Sequence, residues 1–148
     1  MSLENEIMTQ IKAAMKSKDA TALEALRAVK SAILLEKTKQ KGVELSEADE
    51  LKILQKLVKQ RKDSAEIYIS QNRSDLAETE LNQVKVIEVF LPKQMSYEEI
   101  EKNVLNIIGK LGATGMKDMG KVMGAASKQM AGKADGKTIS GIVKEKLA

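Results

Sequence analysis

The chain has no cysteine and no histidine. The first absence rules out a disulfide framework and a thiolate metal site. The second removes the commonest general base and the commonest metal ligand. Tryptophan is also missing, and the aromatics are Tyr68, Phe90 and Tyr97 alone. Stacking on exposed rings therefore cannot be a main means of recognition. No run of about 18 apolar residues occurs, so no segment is expected to span a bilayer. The opening Met-Ser-Leu-Glu-Asn-Glu lacks a basic stretch with an apolar follow-on, so no secretory signal is expected. A reducing, cytoplasmic setting is the resulting expectation. Proline occurs once, at Pro92, and eight of the nine glycines lie beyond residue 108.

What is present is charge and helical periodicity, unevenly placed. Residues 1–92 carry fifteen basic and fifteen acidic side chains. Residues 93–148 carry ten and six, so the whole net charge of +4 falls in the C-terminal part. Pro92 stands where both charge and glycine content change. That places a boundary between an N-terminal domain, 1–92, and a C-terminal domain, 93–148.

Apolar residues recur at helical spacing throughout. Leu3, Ile7, Met8, Ile11 and Met15 predict a first helix ending near Lys18. Asp19 or Thr21 caps a second, with Leu23, Leu26, Val29, Ile33 and Leu34 as its stripe. Residues 36–42 read as its frayed end and turn, with Lys37, Lys39 and Lys41 near the negative pole of the helix. Ser46 and Asp49 open a third helix as a capping box. Its stripe is Leu51, Leu54, Val58, Arg61, Ala65 and Tyr68. A fourth runs from about Ser74 to Pro92 along Ala77, Glu80, Leu81, Val84, Ile87 and Leu91. Each of these two stripes carries one charge that does not belong on an apolar face. Folding the helices back around Gln71 sets Arg61 near Glu80. An Arg61–Glu80 ion pair that fixes the register is therefore expected.

The C-terminal part reads as three short helices. Ser96 and Glu99 form a second capping box, followed by Ile100, Val104, Ile107, Ile108 and Leu111, and Gly112 and Gly115 end the helix. Residues 116–130 then place Met116, Met119, Met123 and Met130 on one side. Lys117, Lys121 and Lys128 fall on another, with Gly120 and Gly124 beside them. The Asp135-Gly136 turn leads to a last helix carrying Ile139, Ile142, Val143 and Leu147. The fold class is thus all-α: a four-helix unit followed by a small three-helix bundle.

No Ser/His or Cys/His arrangement, Walker-type phosphate loop or metal-ligand spacing is present, so catalytic residues, metal and cofactor are all expected to be absent. Five stretches, in order, carry a resemblance: Lys59-Gln-Arg-Lys-Asp-Ser64, Arg73-Ser-Asp-Leu76, Phe90-Leu-Pro-Lys93, Met119-Gly-Lys-Val-Met123 and Gly132-Lys-Ala-Asp-Gly-Lys137. Together they look like the stand-alone YqeY family, over nearly the whole chain. The C-terminal part is similar to the tail domain of the B subunit of the glutamine-dependent aspartyl/glutamyl-tRNA amidotransferase. The resemblance implies a C-terminal GatB/YqeY domain and a part in tRNA handling. The family label of carbon–nitrogen ligase activity, with glutamine as amido-N-donor, comes with it. This chain lacks the catalytic body that the label would need, so catalysis by the chain alone is not expected.

The leading expectation is that Lys117, Lys121, Lys128, Lys133 and Lys137 meet phosphates of structured RNA, with Gly120 and Gly124 allowing close approach. Expected partners are tRNA and, by resemblance, amidotransferase or aminoacyl-tRNA synthetase components. The plain structural reading makes the lysines a solvated face, the glycines a helix-packing device and the methionines core. A helix-binding adaptor that uses the Met and Leu/Ile faces is the alternative from another class. Membrane-surface binding lacks the Trp and Phe such helices carry, and no membrane partner is expected.

Overall fold

The computed structural model describes residues 2–148. Among them are seven α-helices, a single 3-10 turn and no strand. The chain divides into two compact units, Met1–Leu91 and Pro92–Ala148.

The first unit holds α1 (Leu3–Ser17), α2 (Ala20–Lys39), α3 (Glu47–Ser70) and α4 (Ser74–Glu88). Short polar side chains start the first three. Ser2 accepts from the Asn5 amide, Asp19 from that of Ala22, and Ser46 from that of Asp49. The Asp49 carboxylate reaches back to the Ser46 amide, so the capping box is closed even with the shorter acid. The core joins Ile7 and Ile11 of α1, Leu26, Val29 and Ile33 of α2, Leu54 and Val58 of α3, and Val84 and Ile87 of α4.

Several expected stripe members lie outside this core. Met15 is exposed and Ala14 is buried in its place. The chain reverses at Lys18, in the left-handed region at φ 56°, and the Asp19 amide bonds back to the Ala14 carbonyl. Leu34 and Leu81 are also exposed. The lysine-rich end of α2 is not wholly solvated, because Lys37 Nζ pairs with Glu4 Oε2 of α1 at 2.6 Å.

The expected Arg61–Glu80 ion pair does not form among the described residues. Arg61 Nε donates to Gln83 Oε1 at 2.9 Å, and an Arg61 terminal nitrogen donates to the Leu57 carbonyl at 3.1 Å. The reason is register. The reversal between α3 and α4 is centred on Asn72, at φ +59°, rather than on Gln71. Arg61 and Gln83 lie equally far from Asn72 along the chain, so the partner moves one helical turn beyond Glu80. Gln83 is buried, and its amide oxygen takes the Nε–H of the guanidinium.

The second unit holds α5 (Tyr97–Leu111), the 3-10 turn Met116–Asp118, α6 (Met119–Gln129) and α7 (Gly136–Leu147). The Ser96–Glu99 capping box starts α5, and Gly112 ends it at φ +63°. Ile100, Val104 and Ile107 meet Val122, Ala126 and Met130, with Ile139, Ile142, Val143 and Leu147 closing the core. Leu111, in the last turn of α5, is exposed rather than inward. Two contacts tie the segment before α5 to the one before α7. The Met95 amide donates to the Lys133 carbonyl at 2.9 Å, and Gln94 Nε2 donates to the Gly132 carbonyl at 2.8 Å.

The revised register has a measurable consequence. Gln83→Leu keeps the volume but removes the acceptor, and should cost about 1–3 kcal/mol in denaturant unfolding. Glu80→Gln should change stability by less than about 0.5 kcal/mol. The opposite order would restore the Arg61–Glu80 pair.

A candidate polyanion-binding face

The cationic segment is built by the core beneath it. Val122 and Ala126 are the buried positions of α6, and Met130, just past its end, is buried as well. Met119 and Met123 are half-buried against the same cluster. Met116 is 46% exposed, because residues 116–118 form a separate 3-10 turn and α6 begins only at Met119. The apolar side is therefore centred on Val122 and Ala126, with methionine at its edges.

The opposite side of α6 is open. Lys121 and Lys128 are exposed and seven residues apart. That is about two turns, or about 10 Å along the axis. Gly120 and Gly124 lie on this same exposed side, and a Cβ built on either meets nothing within 4 Å. Close helix packing is thus not what these glycines serve. Lys117 is exposed in the 3-10 turn, Lys133 in the loop before α7, and Lys137 in the first turn of α7. None of the five lysines is in an ion pair among the described residues.

One carboxylate enters this face that sequence reasoning did not weigh. Asp118 Oδ2 accepts from the Thr114 amide at 3.0 Å. That bond, then the charges of Lys117 and Lys121, hold its carboxyl below the usual range. Asp118 therefore stays ionised and offsets part of the local positive potential. The residue order Lys117-Asp118 was the available signal. Asp135 is likewise fixed in a capping role, accepting from the Thr138 amide at 2.8 Å and the Thr138 hydroxyl at 2.7 Å. Arg61 is not part of this face; it belongs to the α3–α4 seam.

Among the described residues, two of the hollows in the first unit are open and roomy. One, of about 390 Å³, has Ala13, Ala14, Ala22, Leu26, Val86, Val89 and Phe90 as its apolar wall and Gln10, Ser17 and Asp19 as polar lining. The other, of about 410 Å³, has Leu3, Leu51 and Leu54 as its apolar wall and Glu6, Glu47 and Glu50 at its rim. Burial, then the charges of Glu47, Glu6 and Glu4, push the Glu50 carboxyl up. Among the described residues no group of three or more acidic side chains is placed to hold a metal ion. None of the described helices is long and apolar enough to cross a membrane.

The fold and this face define a small all-helical protein with an open, lysine-bearing surface on its second unit. The sequence pattern of the family described as Yqey-like protein matches residues 4–147, and the chain belongs to that family. Three similar proteins share one name, "Altered inheritance of mitochondria protein 41, mitochondrial". That of Kluyveromyces lactis is 33% identical over 137 residues, covering 90% of this chain and 70% of the relative. That of Lachancea thermotolerans is 33% identical over 103 residues, covering 68% and 55%. That of Vanderwaltozyma polyspora is 31% identical over 116 residues, covering 74% and 62%.

Two outcomes test this geometry. Gly120→Ala and Gly124→Ala should each raise stability, by about 0.5–1 kcal/mol, because alanine favours the helix and meets no neighbour. A loss of stability would mean that these positions are packed. For Glu50, the raised pKa means the folded state disfavours the charged carboxylate, so its contribution is lost as pH rises through that pKa. Glu50→Gln should raise the melting temperature at pH 7, and the gain should vanish below about pH 4. An equal gain at both pH values would contradict the assignment.

Proposed function

We propose that the protein is an accessory factor in tRNA handling that docks the backbone of structured RNA on its second unit. In this reading residues 93–148 are a three-helix domain of the GatB/YqeY type, following a four-helix unit at residues 1–92. The observation that carries it is the outward side of α6, where Lys121 and Lys128 stand beside Gly120 and Gly124 with nothing covering them. Exposed lysines attract phosphate without reading sequence. A glycine backbone lets a phosphate or ribose come closer than a side chain would allow. Lys117, Lys133 and Lys137 extend the track from the flanking segments. Any amidation chemistry belongs, on this account, to an amidotransferase or aminoacyl-tRNA synthetase partner. The proposed setting is the cytoplasm; the mitochondrial label is that of the named relatives.

A helix-binding adaptor is the second reading, favoured by one observation. Ile67 and Ile69, near the C-terminal end of α3, are 56% and 58% exposed. Salt separates the two readings. With three to five phosphates neutralised, log K for bulk tRNA should fall against log salt with a slope of about −2 to −4. Lys117/Lys121/Lys128→Ala should lose much of both affinity and slope. Failure of the wild-type protein to bind tRNA at low salt would contradict the proposal and leave the adaptor reading.

A further inference from the structure

The first unit is electrically neutral as a whole, but its longest helix is not neutral along its length. From Leu51 to Lys62, α3 carries Lys52, Lys56, Lys59, Arg61 and Lys62 and no acidic residue. Two of these five are spoken for. Arg61 is bonded to Gln83, and Lys62 Nζ pairs with Glu88 Oε1 of α4 at 3.3 Å. The remaining three, Lys52, Lys56 and Lys59, are exposed and form no ion pair among the described residues.

Their spacing of four and then three residues puts them on one side of the helix, over about 10 Å of axis. The side buried in the unit carries Leu54, Val58 and Ala65. At about 100° per residue, the three lysines project on the side opposite these. Asp49 and Asp63 lie on the same side, three residues before Lys52 and four after Lys59, and offset part of the charge at the two ends. Asp49 is also engaged by the amide and hydroxyl of Ser46, and Lys56, at the centre, has no carboxylate within a turn on α3. Like charges at this spacing repel one another, so the arrangement is an unfavourable one for the free helix. An anion laid along it removes that repulsion. The stripe contains no apolar anchor, which favours a phosphate backbone over an acidic protein surface.

We infer that Lys52, Lys56 and Lys59 form a second phosphate-contacting track, so that the first unit also takes part in holding structured RNA. The inference rests on the RNA-docking reading above and extends it to a unit for which that reading assigns no contact. A plain solvated face is the competing account, and it predicts no change in RNA affinity when the charges are removed.

The test uses the full chain and bulk tRNA, titrated at several salt concentrations. Three proteins are compared: wild type, Lys52/Lys56/Lys59→Ala and Lys117/Lys121/Lys128→Ala. Alanine favours the helix and all six side chains are exposed, so circular dichroism should match wild type and melting should not fall below it. If the inference holds, the wild-type slope is steeper than the second unit alone would give, and the α3 variant reduces its magnitude by about two to three, at roughly one per lost phosphate contact. Its affinity should fall at least several-fold, and Lys52/Lys56/Lys59→Arg should retain binding. Wild-type affinity and slope in the α3 variant, with loss in the α6 variant, would overturn the second track and leave the proposed function standing. Loss in the α3 variant alone would support the track and overturn the α6 docking face. No binding by the wild-type protein would overturn both.

Discussion

Burial of Val122, Ala126 and Met130 against α5 and α7 fixes the rotation of α6, and most of what the second unit offers to a partner depends on that rotation. These side chains are almost completely removed from solvent, and burial of Val122 and Met130 favours folding by about 1.5–3 kcal/mol each, with Ala126 adding less. A helix of only eleven residues would be marginal alone, so its orientation is set by packing rather than by its own propensity. Once the apolar edge is inside, Lys121, Gly124 and Lys128 have no choice but to face outward. The two glycines weaken the helix and gain no packing contact in exchange. A helix selected for stability alone would place alanine at both.

Charge is arranged differently in the two units. In the first, carboxylates gather in the opening turns of α1 and α3, where the helix dipole stabilises them. Lys37 answers one of them, Glu4, while burial and then the charges of Glu47, Glu6 and Glu4 disfavour the ionised form of Glu50. In the second unit the ion pair Lys146–Glu101, at 3.1 Å, and the Tyr97–Glu145 contact join α5 to the end of α7. The lysines of α6 and of the α6–α7 loop are left without such partners. Among the described residues Lys37, Lys62 and Lys146 bridge helices through their ion pairs and Lys39 pairs within α2, while the unpaired lysines of α6 and the α6–α7 loop stand on open surface. Exposed pairs of this kind add little to stability, so the distinction bears on recognition more than on folding.

Much of the helical order was legible because the caps are local. Ser46 with Asp49 and Ser96 with Glu99 each act within three residues, so a reading of the chain finds them directly, whereas Asp135, read as a turn residue, proves to cap α7. The face a residue presents at a helix end was less legible. Met15, Leu34, Leu81 and Leu111 all have the right periodicity, yet the structure leaves them at the edge of a packed stripe, exposed. The Arg61 partner was missed because register between two helices depends on the residue at the centre of the turn. The φ of Asn72 is a backbone fact that composition does not carry. On α6 the lysine side was read well and the methionine side less so. The 3-10 turn at Met116–Asp118 breaks the single helix that periodicity suggested, and a core built on Val122 and Ala126 displaces Met116 to solvent.

The central claim is that the exposed lysines of the second unit meet RNA phosphates. Its most direct test is lysine reactivity toward a trace acetylating reagent, read residue by residue by mass spectrometry with and without tRNA at low salt. The account predicts that Lys117, Lys121 and Lys128 become protected, while the exposed Lys12 and Lys102 keep their reactivity. Unchanged reactivity at the three α6-region lysines, under conditions where tRNA is bound, would contradict it.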